Sequence, residues 1–121
     1  MPIALRAATV VLGLVFTFQG FAWLIDPAAA AAGLGMPLLD GLGRSTQVGD
    51  FAMFFLAAGG TILLGSLPGR ERVLVFPAVL IGGAAFTRTL AWAFHGAEFA
   101  ALFILVELVT GAVLLAAARA G

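Results

Sequence analysis

Cysteine is absent from this 121-residue chain, which removes disulfides, thiol nucleophiles, iron–sulfur clusters and cysteine-based zinc sites together. Lysine is absent too: all six basic residues are arginine, balanced by six acidic residues to a net charge of zero. No basic run or aromatic-interleaved basic patch exists, so nucleic acid is not an expected partner. The single histidine, His95, forms an H-x-x-E spacing with Glu98, half of a metal-ligand pair. Zinc sites need three or four ligands, and a haem would need a ligand from elsewhere. A solvated, pH-sensitive His95 beside a turn glycine is the expected reading. Ser45, Ser66 and the threonines show no nucleophile–base arrangement. No cofactor is expected, and an enzyme is the function class with least support.

Charge is scarce as well. Charged residues make up 10% of the chain and hydrophobic ones 63%, with a mean hydropathy of +1.17. A soluble domain has about 25% charged and 45–50% apolar residues. A chain of this length is room for one domain, residues 1–121, and it has too little interior to hide such an excess from water. The remaining solvent is a lipid bilayer. The Ala, Gly and Arg bias without Lys fits a GC-rich bacterial genome.

Four segments reach the roughly 20 apolar residues that a membrane crossing needs: about 4–25, 47–67, 73–95 and 97–118. "SLPGRER" (66–72) reads as a tight polar turn, and "HGAE" (95–98) as a shorter one. In the longer connection, Asp26 suits an N-cap and Pro27 the first helical position. Five alanines follow, with Gly33 as the expected stop. This reads as a short helix lying at the interface, followed by a Gly/Pro loop. The first segment's apolar run of about 19 residues exceeds the 7–15 of a signal-peptide core, so it is expected to be a span. The architecture expected is all-α: a transmembrane four-helix, up-down-up-down bundle with that short helix between its first two spans.

Arginine placement gives the orientation. Arg6, Arg70, Arg72 and Arg119 flank one side, and only the loop residue Arg44 lies on the other. The positive-inside rule then puts both termini in the cytoplasm of a bacterial inner membrane. Trp23 and Trp92 fall near the opposite, outer interface, where amphipathic rings are favoured.

Arg88 stands inside the third span, roughly 10 Å from its outer end at 1.5 Å per residue. An arginine at a span centre costs about 3 kcal/mol, offset by roughly ten Val, Leu, Ile and Phe at about −0.3 to −0.6 kcal/mol each. It inserts, but it should face the bundle interior and find partners. Gln19, Asp50 and Glu107 offer themselves at roughly 9, 5 and 15 Å from the outer ends of the other spans. Gln19, Trp23 and Asp26 share one helix face, as do Arg88, Trp92 and His95. Glu98 and Glu107 are about 180° apart, so only Glu107 turns inward.

The expected interior is a cup opening outward. Asp26, Arg44 and His95 lie at its mouth, with Trp23 and Trp92 below. Gln19, Asp50 and Arg88 form its middle and Glu107 its floor. Toward the cytoplasm the bundle reads as entirely apolar, with no polar path through. Arg88 cannot neutralise both Asp50 and Glu107, and an unpaired buried charge is expensive. Either Glu107 holds a proton, Arg44 reaches in, or a cation or polar ligand completes the set. Gly59, Gly60, Gly82 and Gly83 lie within spans and read as packing positions, as does Gly111 beside Glu107.

The stretch "GLGRSTQVGDFAMFF" (41–55), with "FQGFAWLIDPAAAAAGLG" (18–35), resembles a family of small bacterial integral membrane proteins of unknown function, DoxX-like in general style. The resemblance implies a single-domain four-helix fold and a bacterial membrane, carries no established activity, and makes Arg44, Gln47 and Asp50 part of a characteristic segment. Small multidrug exporters share the length and helix count but carry a glutamate inside the first span, where this chain has Gln19.

The function expected is therefore binding of a small polar or amphipathic molecule, or a lipid, in the cup. Gln19, Asp50, Arg88 and Glu107 are the principal contacts, and Trp23, Trp92, Arg44 and His95 surround them. The competing expectation is a non-enzymatic accessory subunit that docks a membrane-protein partner or another copy of itself, with the polar cluster as structural glue. A proton-coupled transporter would need a polar route through, and none is visible.

Overall fold

The computed structural model describes residues 1–121 as five α-helices and no strand. They are α1 (Ile3–Ile25), α2 (Pro27–Gly33), α3 (Gly41–Gly65), α4 (Val75–His95) and α5 (Ala101–Arg119), with a 3-10 turn at Glu71–Leu74 leading into α4. Four of these segments are long and apolar enough to cross a membrane. Only 25 of the 121 residues are buried, and Phe18, Phe86 and Leu102 are among the many large apolar side chains left exposed. Such a surface suits lipid and not water. The architecture is the expected four-span bundle with a short helix between the first two spans.

That short helix starts as its sequence dictates. Asp26 caps it, its Oδ1 accepting from the Ala29 N–H at 3.3 Å, and Pro27 occupies the first turn, where its missing N–H is no loss. Its stop lies two residues beyond the expected one. Gly33 is still helical, and Gly35, at φ 77°, makes the left-handed turn. The Met36 N–H returns to the Ala31 carbonyl and that of Gly35 to Ala32, the paired bonds of a Schellman ending.

Two other boundaries differ from expectation. The second span begins at Gly41, six residues before 47, because Asp40 and not the Gly/Pro loop precedes the helix. Arg44 is therefore helical: its Nη2 lies 3.2 Å from Asp40 Oδ1 and its Nε donates to the Leu39 carbonyl at 2.8 Å. The fourth span begins at Ala101, not 97. Gly96 turns left-handed at φ 67° and residues 96–100 form the connection, so Glu98 stands outside the helix, exposed.

The bundle is two hairpins. α1 packs chiefly on α3 and α4 chiefly on α5, while contact across the hairpins is shorter. Small residues set the first seam: a Cβ at Gly59 would clash with the Thr17 backbone nitrogen, so the two backbones almost touch. The same seam faces Gly13 toward Leu63 and Gly20 toward Leu56. That register sets Asp50 level with Asp26, at the end of α1, and the first turns of α3 project past it. In the second seam Gly111 faces the Gly82 backbone, where a Cβ would come within 3.3 Å of the Gly82 Cα. Gly60 and Gly83 line no such contact; a Cβ there would meet open space.

The hairpins join at one end and part at the other. Ala58 and Ile62 of α3 pack with Leu74, with Ala78 and Ile81 of α4, and with Leu114, Ala117 and Ala118 of α5 in one buried cluster. At the α2 end the core consists of Trp23, Ala30, Ala31 and Ala52, with only residues before position 56 packed against it. α4 and α5 contribute nothing there. A space is left between the hairpins.

Candidate functional site

That space is a cavity of about 390 Å³, lined by twelve residues of which nine are hydrophobic. Phe51, Phe54 and Phe55 reach it from α3 at i, i+3, i+4 spacing, the spacing that brings side chains to one helix face. Phe16 of α1 and Phe103 of α5 face them across the space. The rings brace one another: Phe55 lies 5.7 Å from Phe16 and meets Phe54 edge-on at 5.2 Å. The polar wall is Thr87 and Arg88 of α4 with Glu107 of α5. An apolar cavity with a few convergent polar groups is the usual form of a small-molecule site.

The ion pair defines that wall. Arg88 Nε lies 2.9 Å from Glu107 Oε1 and 3.2 Å from Oε2. Its N–H is aligned on Oε2, which leaves Oε1 buried without a hydrogen bond. The guanidinium carbon sits 4.7 Å from the centre of the Phe103 ring, within cation–π range. A guanidinium carries five N–H donors, and within the protein Arg88 uses only the one on Nε. Its side chain is 34% exposed and that of Glu107 15%. Nη1 and Nη2 are left without a protein acceptor.

The other expected site residues do not converge on this pair. Asp50 is exposed beside a shallow groove formed with Leu39, Gly43 and Thr46, because it lies level with the end of α1 and not inside the bundle. Arg44 does not reach in; it is held on Asp40. Arg88 therefore faces one carboxylate, and the expected charge mismatch does not arise. Gln19 is exposed at the rim of a neighbouring cavity. Trp23 is fully buried and stacks on Phe51 at 5.0 Å, since α2 and the loop after it fold over this end of α1. Trp92 is half exposed, edge-on to Phe99 at 5.2 Å, and His95 and Asp26 are exposed. His95 and Glu98 have no third partner: nowhere do three metal-ligating side chains converge.

Gln47, early in α3, has a structural task. It is buried; its Oε1 accepts from the Leu39 N–H at 2.8 Å and its Nε2 donates to the Pro37 carbonyl at 3.0 Å. It fastens the loop between α2 and α3.

The opposite end is not entirely apolar, contrary to the sequence reading. Arg6 Nη1 donates to the Ser66 carbonyl, and Nη2 lies 3.4 Å from Glu71 Oε1. Buried Ser66 Oγ lies 2.8 Å from Thr9 Oγ1. Glu71 hides in the charge-rich "GRER" turn, which reads as solvated. The sequence reading leaves out the aromatic wall as well, although the i, i+3, i+4 spacing of Phe51, Phe54 and Phe55 signals it.

No protein-family model matches the chain, and no curated protein or solved structure shows significant similarity to it.

Proposed function

We propose that this protein is a bacterial inner-membrane protein that binds a small amphipathic molecule in the cavity between its hairpins, with Arg88 as the polar anchor. One observation carries the reading: Arg88, whose Nη1 and Nη2 donors are unused within the protein, lines a phenylalanine-rich cavity from within a membrane-length helix. Inside a bilayer, water is not available to satisfy such donors. A ligand with a hydrogen-bond acceptor supplies what the protein does not. Glu107 neutralises and orients the guanidinium, and the Phe rings take the apolar part of the ligand. The arginines gathered at the Arg6 end support a cytoplasmic position for both termini under the positive-inside rule, and the DoxX-like resemblance belongs to the same proposal.

The competing reading makes the pair structural glue in an accessory subunit. It is favoured by the fact that the pair closes between α4 and α5, within one hairpin. Native mass spectrometry of protein released from lipid nanodiscs separates the two. Ligand binding predicts a reproducible added mass whose retention falls at least tenfold in Arg88→Gln. A clean unliganded mass in the wild-type protein overturns it and leaves the glue reading.

A further inference from the structure

A second cavity, of about 330 Å³, lies beneath α2 and between α1 and α5. It shares Phe16, Leu34, Phe55, Phe103 and Val106 with the first, so the two spaces adjoin. Their chemistry differs. The first holds Arg88, Glu107 and Thr87, whereas the second has a single polar side chain, Gln19 at its exposed rim. The α2 side of the second is Ala29, Ala30 and Gly33, with nothing larger than a methyl group. The polyalanine stretch thus leaves open a space that larger apolar residues would fill. Val15 and Val106, each about half exposed at 50% and 51%, bring this space out to the apolar flank of the bundle.

We infer that the two cavities together hold one single-chain amphiphile, its uncharged hydrogen-bond-accepting head against Arg88 and its alkyl tail beneath α2, admitted from the lipid between α1 and α5. The inference rests on the ligand-binding reading above and adds the tail, its seat and its path. An uncharged head follows from the one-to-one pairing of Arg88 with Glu107: an anionic head would bury a net negative charge, which is costly. A carbonyl accepts from Nη1 or Nη2 without that cost. The second cavity offers an alkyl chain apolar walls and asks for no further hydrogen bond.

The test uses two methyl ketones, with alkyl chains of six and of fourteen carbons, at equal mole fraction in nanodisc bilayers, with bound ketone read by native mass spectrometry. Gly33→Leu puts bulk into the second cavity from α2, and a Cβ at Gly33 meets no atom within 4 Å, so the helix need not move. Val15→Phe fills it independently from α1. Wild-type protein should retain the long ketone at least tenfold better than the short one. Each filling variant should remove that preference while leaving short-ketone retention within twofold, and Arg88→Gln should lower retention of both. Equal wild-type retention of the two ketones, or a chain-length preference surviving both filling variants, overturns the tail seat and leaves the Arg88 reading standing. Retention of neither ketone overturns the inference as well, and the mass of any co-purified molecule then decides the Arg88 reading separately.

Discussion

Two arginine–glutamate pairs occupy opposite ends of this molecule, and they differ less in exposure than in surroundings. Arg6 and Glu71 are 26% and 11% exposed, Arg88 and Glu107 34% and 15%. Arg6 spends its guanidinium within the protein, on the Ser66 carbonyl and on Glu71, and so ties α1 to the turn before α4 where the hairpins are packed together. Arg88 bonds only across its own hairpin, where the two hairpins stand apart. One pair closes a joint. The other faces an opening. The same side-chain chemistry therefore serves architecture where both terminal nitrogens find acceptors within the chain, and offers a binding surface where both are left over.

Breaking the closed regions should cost most. Gly59→Leu forces a side chain into the Thr17 backbone and should destabilise the protein by about 3 kcal/mol, the upper range for overpacking, measured by denaturant titration in mixed micelles with circular dichroism. Arg6→Gln comes next: it leaves Glu71 without its cation and should lower Tm by several degrees, with no loss of ligand retention. A larger fall in Tm for Arg88→Gln than for Arg6→Gln would reverse the comparison. Arg88→Gln with Glu107→Gln sharpens it further. The double variant removes the lone carboxylate, so it should regain most of the thermal stability lost in Arg88→Gln, yet still fail to retain ligand. Recovery of retention along with stability would make the pair glue. The smallest effect belongs to Thr17→Val. Thr17 Oγ1 is buried with no partner, so its removal should be neutral or stabilise by up to about 1 kcal/mol, read in the same titration.

The spans were legible because a membrane crossing demands length and apolarity, and little else in the chain supplies both. Of the Arg88–Glu107 pair only the inward turn of each residue is legible: the sequence leaves Asp50 and Glu107 both open as partners, and starting the fourth span at 97 instead of 101 sets Glu107 deeper than Arg88. Asp50 and Arg44 were misplaced for a single reason. The Gly/Pro loop reads on to residue 46, which starts the second span at 47, leaves Arg44 in the loop and sets Asp50 inside the bundle. Asp40 followed four residues later by Arg44 was the available sign of an earlier start. The Arg6–Glu71 joint joins residues 65 apart, and no local pattern ties such positions together. Trp23 shows the same limit: its helix face is readable, but the loop that buries it is not.

The fastening of the first hairpin has a consequence for the order of assembly during synthesis. The residues packed around Trp23 all precede position 56, and the bonds that Gln47 makes reach back only as far as Met36. Nothing in that region waits for α4 or α5. A nascent chain emerging from its N-terminus therefore holds a finished α2 end before the second half exists, and Ala58, Ile62 and the Arg6 guanidinium are left to receive that half. The cavity comes into being last, as the gap between a part already made and a part arriving.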